Sequence, residues 1–332
     1  MSRRRFGRSL RRAFYVIAVW GASFAAVFVL LACANASEVG NGIKALLLSG
    51  FSSQAGLSKT LLYWPVILLA ALAAGCSWQV GFLNLAVPGQ MMLGAAAAMC
   101  GALVWRLPWW ACLMLAAFGG ALSGFTLSLI KTGVRIKPIL CAVMFDFFAL
   151  FLTQWLWEDV LNAAKDNAIA LPTVFLGNGP EISLGVLIAL LICLALWIML
   201  RFTVTGYEIK AISSNRIAAK RAGMPTESIG KTVIVLSGAL SGLAGGICIL
   251  SGKAESAVVT GLSMEMGAAG LAAALLCFGH PAGIAVAAFC LAGISSGSEA
   301  LPSAYPREIL FVLLALMLLG SAILHRNKDL HF

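Results

Sequence analysis

Charge is the scarcest property of this sequence. Charged residues make up 11 % of the 332 residues, whereas hydrophobic residues make up 61 %. A water-soluble domain needs a much larger polar surface than this composition can supply. The shortage of charge therefore excludes a soluble globular protein and predicts a chain that crosses a membrane several times.

Several motifs that carry chemistry are also missing. There is no glycine-rich loop followed by Lys and Ser or Thr, so the sequence predicts no P-loop for ATP. The nine cysteines are scattered singly without metal-ligand spacing, and we expect the chain to bind neither a metal ion nor another cofactor. The net charge is +10, but the sequence has no basic face with stacking aromatic residues of the kind that nucleic-acid binding requires. We therefore do not expect the chain to bind nucleic acid.

What the sequence has in abundance is long apolar runs. Runs of about 18–22 residues match a hydrocarbon core of roughly 30 Å. The sequence therefore predicts an all-α fold, a polytopic transmembrane helical bundle with a basic tail at 1–13 and a single membrane domain at 14–332. The ten spans that we expect lie near residues 14–34, 59–77, 80–104, 108–130, 137–157, 183–202, 232–252, 262–279, 281–298 and 306–324.

The distribution of Lys and Arg indicates how the chain is oriented. Most of the 23 basic residues fall in the 1–13 tail, the 131–137 connection, the 201–231 stretch and the C-terminal tail. In the ten-span arrangement these segments lie on one side of the membrane, and positive charge favours the cytoplasm. Both termini and the polar 203–231 segment are therefore expected to be cytoplasmic, whereas the 158–182 loop is expected on the outside.

An internal repeat relates the two halves of the chain. One constant shift aligns residues of the first half with identical residues of the second half without a gap. The pairs are Met91 with Met264, Gly94 with Gly267, Ala95 with Ala268, Pro108 with Pro281, Gly120 with Gly293, Ser123 with Ser296 and Gly124 with Gly297. The shift maps the third predicted span on the eighth and the fourth on the ninth. Because an offset of five is odd, the sequence predicts a five-plus-five inverted repeat, which is typical of transport proteins.

Two identical stretches predict close helix packing. Gly-Ala-Leu-Ser-Gly occurs at 120–124 and again at 238–242. Small residues four positions apart allow helix backbones to approach closely in a membrane.

The third predicted span contains polar residues and a helix breaker. Asn84, Pro88 and Gln90 lie within one apolar region. Pro88 removes a backbone donor and clashes with the preceding turn, so the helix is expected to kink or break there. Such a break is tolerated in lipid only against protein or a water-filled cavity. The three residues are therefore candidates to line a substrate path, although the two amides can equally bond across a helix interface.

Asp146 is the one acid that we place well inside a span. Ionisable residues are costly in a membrane and usually face a bundle interior or a pathway. Two functional roles are open, a polar group in the substrate path or an acid that stays protonated in apolar surroundings. A structural hydrogen bond is the alternative to both.

The 203–231 segment has the start and stop signals of a short helix. Asn215 is a suitable N-cap for a helix over 216–222. Gly223 ends that helix, and Pro225 prevents its continuation. A capped helix of mixed charge on the cytoplasmic face suits a docking surface for a soluble partner better than a simple connector.

Three stretches resemble the permease subunits of bacterial ABC importers of the simple-sugar and nucleoside family, which includes ribose- and branched-chain-amino-acid-type permeases. They are Thr205–Gly223 with the following Lys231–Gly245, the stretch Asn84–Ala95, similar to the family's Asn-Ile-Gly-x-Glu-Gly-Gln-Met, and Gly279-His-Pro-Ala-Gly283. The resemblance covers roughly residues 60–325 and is closest to the longer permease of nucleoside importers. Two positions depart from the family pattern: Pro88 stands where the family usually has Glu, and Asp146 where it usually has Asn.

The resemblance implies transport without covalent chemistry, so no catalytic residue is expected. The implied partners are a cytoplasmic ABC ATPase that binds ATP and Mg²⁺, a second homologous permease and an extracytoplasmic substrate-binding lipoprotein. The implied location is the cytoplasmic (inner) membrane of a bacterium. The residues implied in ATPase coupling are Gly206, Tyr207, Glu208, Asn215, Ala218, Ala219 and Gly223, and those in the substrate path are Asn84, Pro88, Gln90 and Asp146.

The expected substrate is a small polar solute, most specifically a purine nucleoside. A simple sugar such as ribose or galactose carried by the same machinery is the alternative. From another class, a secondary transporter or a channel would share the inverted repeat. A secondary transporter needs ion-coupling acids, however, and Asp146 is nearly alone in the predicted spans.

Overall fold

The structure is a computed structural model that describes residues 18–29, 39–82, 84–133, 138–158, 173–175, 181–251, 256–301, 305 and 309–326. In chain order the helices are α1 (Ala18–Val29), α2 (Val39–Ser52), α3 (Gln54–Gln79), α4 (Val87–Met99), α5 (Trp109–Gly133), α6 (Pro138–Leu156), α7 (Leu184–Phe202), α8 (Val204–Ser214), α9 (Arg216–Arg221), α10 (Thr226–Leu250), α11 (Ser256–Leu276), α12 (Pro281–Ser298) and α13 (Ile309–Arg326). The predicted helical bundle is confirmed.

Long apolar helices dominate the described residues. Six of them are long and apolar enough to cross a membrane, namely α3, α4 with its π-helical extension Cys100–Val104, α5, α7, α10 and α12. Shorter apolar helices lie at Ala18–Val29, Leu140–Leu156, Met264–Leu276 and Ile309–Ser321. A polytopic membrane protein follows from these helices, whereas the number of ten spans stays a prediction.

Two elements differ from the sequence prediction. The first is α2, which the sequence analysis left in a loop because its glycines and Lys44 interrupt the apolar pattern. The second is a short hairpin within the predicted 158–182 loop, in which β1 (Thr173–Phe175) pairs antiparallel with β2 (Glu181–Ser183). The purely helical prediction was therefore incomplete.

The third predicted span begins later than expected. The described residues of 80–86 form turns and irregular chain without helix, and α4 starts at Val87 with Pro88 in its first turn. Proline is favourable there because its missing N–H would have no partner within the helix and its φ already suits the helix. The predicted break therefore lies before Pro88, and the prediction of helix from residue 80 onward was wrong.

The chain divides into two compact units, one formed by residues 1–60 with 292–332 and the other by residues 61–291. In the larger unit α4 lies at the centre, since it contacts α5, α6, α10 and α11. Its side chains are buried almost throughout. Alanine, methionine and glycine make up most of α4, and this composition combines helix propensity with the small size that four neighbours require.

The two Gly-Ala-Leu-Ser-Gly stretches pack against each other. Gly238 of α10 lies against the carbonyl oxygen of Gly120 on α5, and a Cβ at position 238 would lie 2.9 Å from the Cα of Gly124. Gly242 lies against Ala116 and Gly120 in the same way. The backbones of α5 and α10 are therefore in contact, which only glycine permits at these positions.

In the smaller unit, α2 packs against the end of α12 through small residues. Gly50 faces the backbone of Gly293, and Phe51 fills the space beside Gly293 that a side chain would occupy. The Thr60 hydroxyl donates to the Gly50 carbonyl at 2.8 Å, and Lys59 forms an ion pair with Glu299 at 2.6 Å. This contact gives α2 a structural role that its sequence pattern did not reveal.

Some predictions fall on parts of the chain outside the described residues. These are the basic tail at 1–13, the side chains of the 131–137 connection and most of the 158–182 loop. The division into a tail and a single membrane domain at 14–332 stays a prediction.

Candidate functional site

A buried polar cluster joins three helices of the larger unit. The Asn84 side-chain amide donates to the Gln90 side-chain oxygen at 2.8 Å and to the Ser237 hydroxyl at 2.9 Å. Ser237 in turn donates to the Ala73 carbonyl at 2.8 Å. Asn84, Gln90 and Ser237 have no exposed surface. The cluster thus links α3, α4 and α10. These contacts are hydrogen bonds across helix interfaces, which the sequence analysis gave as the alternative to a substrate path.

One donor of this cluster lacks a partner among the described residues. The side-chain nitrogen of Gln90 is fully buried without a hydrogen bond there. An unpaired buried polar group costs about 1–3 kcal/mol, so a native protein retains one for a reason such as a bound water or ligand. Pro88 is also buried against α11, where it contacts Gly267. In this conformation Asn84, Pro88 and Gln90 are enclosed by protein, and their place in a substrate path stays a prediction.

Asp146 caps a helix to which it does not belong. The N-cap residue of α4, Ala86, has no side chain that can accept a hydrogen bond. Instead, the Gly89 backbone N–H donates to the Asp146 carboxylate at 2.8 Å. Carboxylates are favourable at helix N-termini because free N–H groups and the helix dipole both attract negative charge. Asp146 therefore makes a structural hydrogen bond, and a role for it in the substrate path stays a prediction.

Glycine at position 89 makes this cap possible. A Cβ at Gly89 would lie 2.5 Å from the accepting oxygen of Asp146 and 2.9 Å from its Cα. The carboxylate can therefore reach the backbone only because no side chain stands between α4 and α6.

Replacing Asp146 with alanine is expected to lower stability, whereas replacing it with asparagine is expected to preserve stability. Alanine removes the acceptor and costs about 1–2 kcal/mol, the usual value of a lost helix cap. Asparagine keeps an oxygen that can accept from Gly89. Thermal unfolding of the purified variants in detergent measures the difference.

Substrate uptake by the same two variants separates structure from function. Asp146→Asn with normal stability and lowered uptake would give the acid a role in transport. Normal uptake and normal protein level in Asp146→Asn would remove Asp146 from the mechanism.

The predicted short helix in the 203–231 segment is present as α9. Asn215 caps it, because its side-chain oxygen accepts from the backbone N–H groups of Ile217 at 3.1 Å and Ala218 at 3.0 Å. At the other end Gly223 has a φ of +82°, and the Met224 N–H donates to the Ala219 carbonyl at 3.1 Å. The N-cap and the left-handed C-terminal glycine of α9 therefore lie at the positions that the sequence predicts.

Helix α8 is held tightly on the end of α7. Thr203 caps α8 by accepting from the Gly206 N–H at 3.2 Å. Gly206 is buried, and a Cβ there would lie 2.7 Å from the backbone of Leu200. Ile209 and Ile212 are buried on the inner face, where α8 contacts α7 and α10. Gly206 thus fixes the direction of the segment.

The outer face of the segment carries exposed apolar side chains. Tyr207 is 66 % exposed and Ile217 is 68 % exposed. Ala218 is exposed as well, whereas Ala219 is 4 % exposed and buried. We name the outer face of α8 and α9, with Tyr207, Ile217 and Ala218, the coupling surface.

Two residues of these sites escaped the sequence analysis. Ser237 is one of the partners of Asn84, but serine in a glycine-rich helix gives no indication of the face on which it lies. Ile217 was overlooked because one apolar residue in a basic stretch is unremarkable. A large apolar residue at the second position of the helix that Asn215 caps, directly after Arg216, was the available signal.

Comparison with known proteins agrees with these features. The family model described as the permease component of branched-chain amino acid transport systems matches residues 56–321. The guanosine ABC transporter permease protein NupP of Bacillus subtilis is 28 % identical over 307 residues, covering 87 % of this chain and 87 % of that protein. The nucleoside ABC transporter permease protein NupB of Lactococcus lactis is 24 % identical, covering 85 % of this chain and 83 % of that protein. The glucose ABC transporter permease protein TsgB13 of Haloferax volcanii is 28 % identical, covering 61 % of this chain and 58 % of that protein.

Proposed function

The chain belongs to the permease family of branched-chain amino acid transport systems, and from this premise we propose that it forms the translocation path of an ATP-driven importer for a nucleoside. It is a multi-pass protein of the cytoplasmic membrane and performs transport rather than covalent chemistry. The observation that carries the choice of substrate is the extent of similarity. Two relatives named as guanosine and nucleoside permeases match more than four-fifths of this chain.

A simple sugar is the second candidate. The relative named as a glucose permease matches 61 % of this chain. Amide and hydroxyl groups such as those of Asn84, Gln90 and Ser237 suit a sugar as well as the ribose of a nucleoside. The nucleoside is favoured because its relatives match over a greater length.

The coupling surface is proposed to contact a cytoplasmic ABC ATPase. Tyr207 and Ile217 expose apolar surface next to basic and acidic residues, a composition that suits an interface with a soluble protein. Tight packing through Gly206 and the cap at Asn215 would let the segment transmit movement of the ATPase to α7 and α10. The ATPase partner, not this chain, would bind ATP and Mg²⁺.

Packing within each unit supports the inverted repeat. Gly120 of α5 packs closely on α10, and its repeat mate Gly293 of α12 packs closely on α2. The repeat pairs α10 with α3 and not with α2, so what the two halves share is a close helix contact at the aligned glycine. We propose ten spans of opposite orientation in the two halves, with both termini in the cytoplasm.

The substrate path is proposed to pass beside the α4 N-terminus. There the unpaired amide nitrogen of Gln90, the Asn84 side chain and the Asp146 carboxylate come from three separate elements. Polar groups on different elements can be joined or separated by small movements of α4, as alternating access requires. A second homologous permease and an extracytoplasmic substrate-binding lipoprotein would complete the importer.

Uptake competition tests the substrate. The native complex, purified through a tag on this chain and reconstituted in liposomes with its binding protein, is expected to accumulate tritiated guanosine when ATP is enclosed. An excess of unlabelled adenosine should reduce that uptake, whereas an excess of ribose or glucose should leave it unchanged. Competition by the sugar and not by the nucleoside would replace the first candidate with the second.

A further inference from the structure

A cavity of about 400 Å³ lies where α3, α7, α8 and the turn between α11 and α12 meet. Its wall includes Arg201 from the last turn of α7, Lys210 from α8 and His280 from the turn. All three side chains are exposed. The cavity is separate from the buried polar cluster and from the coupling surface, and nothing in the proposed transport cycle uses it.

The cavity is basic and has no compensating acid. All of its lining residues lie in the described part of the chain, and none of them is Asp or Glu. Neither Arg201 nor Lys210 forms an ion pair with a described residue. Cationic groups that converge without a counter-charge repel each other, so an anion would stabilise the arrangement.

Arg201 is held in place for such a role. Its guanidinium lies 5.3 Å from the ring centroid of Trp197 and 5.6 Å from that of Phe202. Cation–π contact with two aromatic rings restrains the guanidinium and leaves N–H groups to bind an oxyanion. The helix α12 begins at Pro281 on the same wall, and the positive end of its dipole adds to the attraction.

The wall of the cavity continues into an apolar stripe of α7. Leu190, Leu194 and Ile198 are exposed and lie four residues apart, on one face of the helix below Arg201. Trp197 and Arg201 stand at the end of this stripe, the level at which aromatic and basic residues meet lipid headgroups. Acyl chains along the stripe would place the phosphate of a phospholipid in the cavity.

We propose that this cavity binds a phosphate group, supplied by the headgroup of an anionic phospholipid whose acyl chains lie along α7. Arg201 and Lys210 contact the phosphate oxygens, and His280 lies beside them. Since Lys210 belongs to α8, occupancy joins α7, α8 and the α11–α12 turn through one anion. A phospholipid thereby links the base of the coupling surface to the membrane.

Lipid retention in nanodiscs tests the proposal. The native complex carrying Arg201→Gln with Lys210→Gln is compared with wild type and with a control carrying Arg216→Gln and Lys231→Gln. The control loses the same charge from exposed positions outside the cavity. Native mass spectrometry of protein released from phosphatidylglycerol nanodiscs is expected to show a roughly 30-fold loss of bound lipid affinity in the first variant and little change in the control.

A second arm distinguishes a lipid headgroup from soluble phosphate. In nanodiscs of phosphatidylcholine alone, saturable binding of inorganic phosphate that is lost in the Arg201→Gln, Lys210→Gln variant would assign the site to a soluble phosphate source. Equal retention of phosphatidylglycerol by wild type, control and variant, with no saturable phosphate binding, overturns the proposal. Lys210→Gln alone leaves the Arg201 guanidinium in place. This variant, with an expected loss of about fivefold in phosphatidylglycerol affinity, decides the question if replacing Arg201 prevents folding.

Discussion

Replacing Gly238 with alanine is expected to destabilise the protein by about 3 kcal/mol, a large effect for one added methyl group. The new Cβ would overlap the carbonyl oxygen of Gly120 and lie 2.9 Å from the Cα of Gly124. Both obstacles are backbone atoms, so no side chain can rotate away and α5 must separate from α10. The measurement is the midpoint of thermal unfolding in detergent, together with the amount of monodisperse protein recovered from the membrane.

Gly230→Ala is the matched control on the same helix. No atom lies within 4 Å of a Cβ at Gly230. Alanine there gains helix propensity of up to about 1 kcal/mol, so this variant should be as stable as wild type or more stable. Both substitutions replace glycine with alanine, yet their effects on the free energy of unfolding are expected to have opposite signs. Equal stability of the two variants would show that α5 and α10 are not in backbone contact.

Replacing Ile217 with glutamate is expected to abolish most ATP-driven uptake without lowering the amount of folded protein. Ile217 is 68 % exposed, so a charge there costs little in the isolated chain. At an interface the same charge would be buried without a partner, and loss of a central contact of this kind costs about 2 kcal/mol or roughly 30-fold in affinity. The measurements are uptake and the yield of ATPase that co-purifies with the chain.

Two further variants give this test its specificity. Ile217→Leu keeps the apolar surface and should retain uptake. Ala219→Glu differs because Ala219 lies on the buried face of α9, so the charge should displace the helix and lower stability as well as uptake. If Ile217→Glu transports normally and retains its ATPase, the coupling surface lies elsewhere.

The burial of individual side chains also changes which of the predicted coupling residues can contact a partner. The sequence implicated Ala218 and Ala219 alike, because adjacent residues of a short capped helix cannot be told apart without knowing which face is covered. The structure buries Ala219 and exposes Ala218 and Ile217. Gly206 likewise proves to be a packing position against α7 rather than an exposed one.

Local features of the sequence predicted structure well. Asn215 and Gly223 mark the ends of α9 because a cap and a left-handed C-terminus depend on chemistry within a few residues. The apolar runs predicted the bundle for a similar reason, since the length of a span is a property of one segment. Pro88 marked an interruption, although its preference for a first helical turn moved the break before it.

Contacts distant in sequence could not be predicted in this way. The two Gly-Ala-Leu-Ser-Gly stretches were each recognisable as close-packing motifs, yet nothing local states that they pack on each other. The bond between Asp146 and Gly89 joins residues on α6 and α4, and it depends on how two helices are placed rather than on either helix alone. Ser237 became a partner of Asn84 for the same reason.

The central claim is that this permease couples ATP hydrolysis on a partner to nucleoside import, and ATP-dependent guanosine accumulation tests it most directly. The native complex, isolated through this chain and reconstituted with its binding protein, should accumulate guanosine with enclosed ATP and lose that uptake in Ile217→Glu. Uptake that proceeds without ATP, or a chain that co-purifies with no ATPase, would contradict the account.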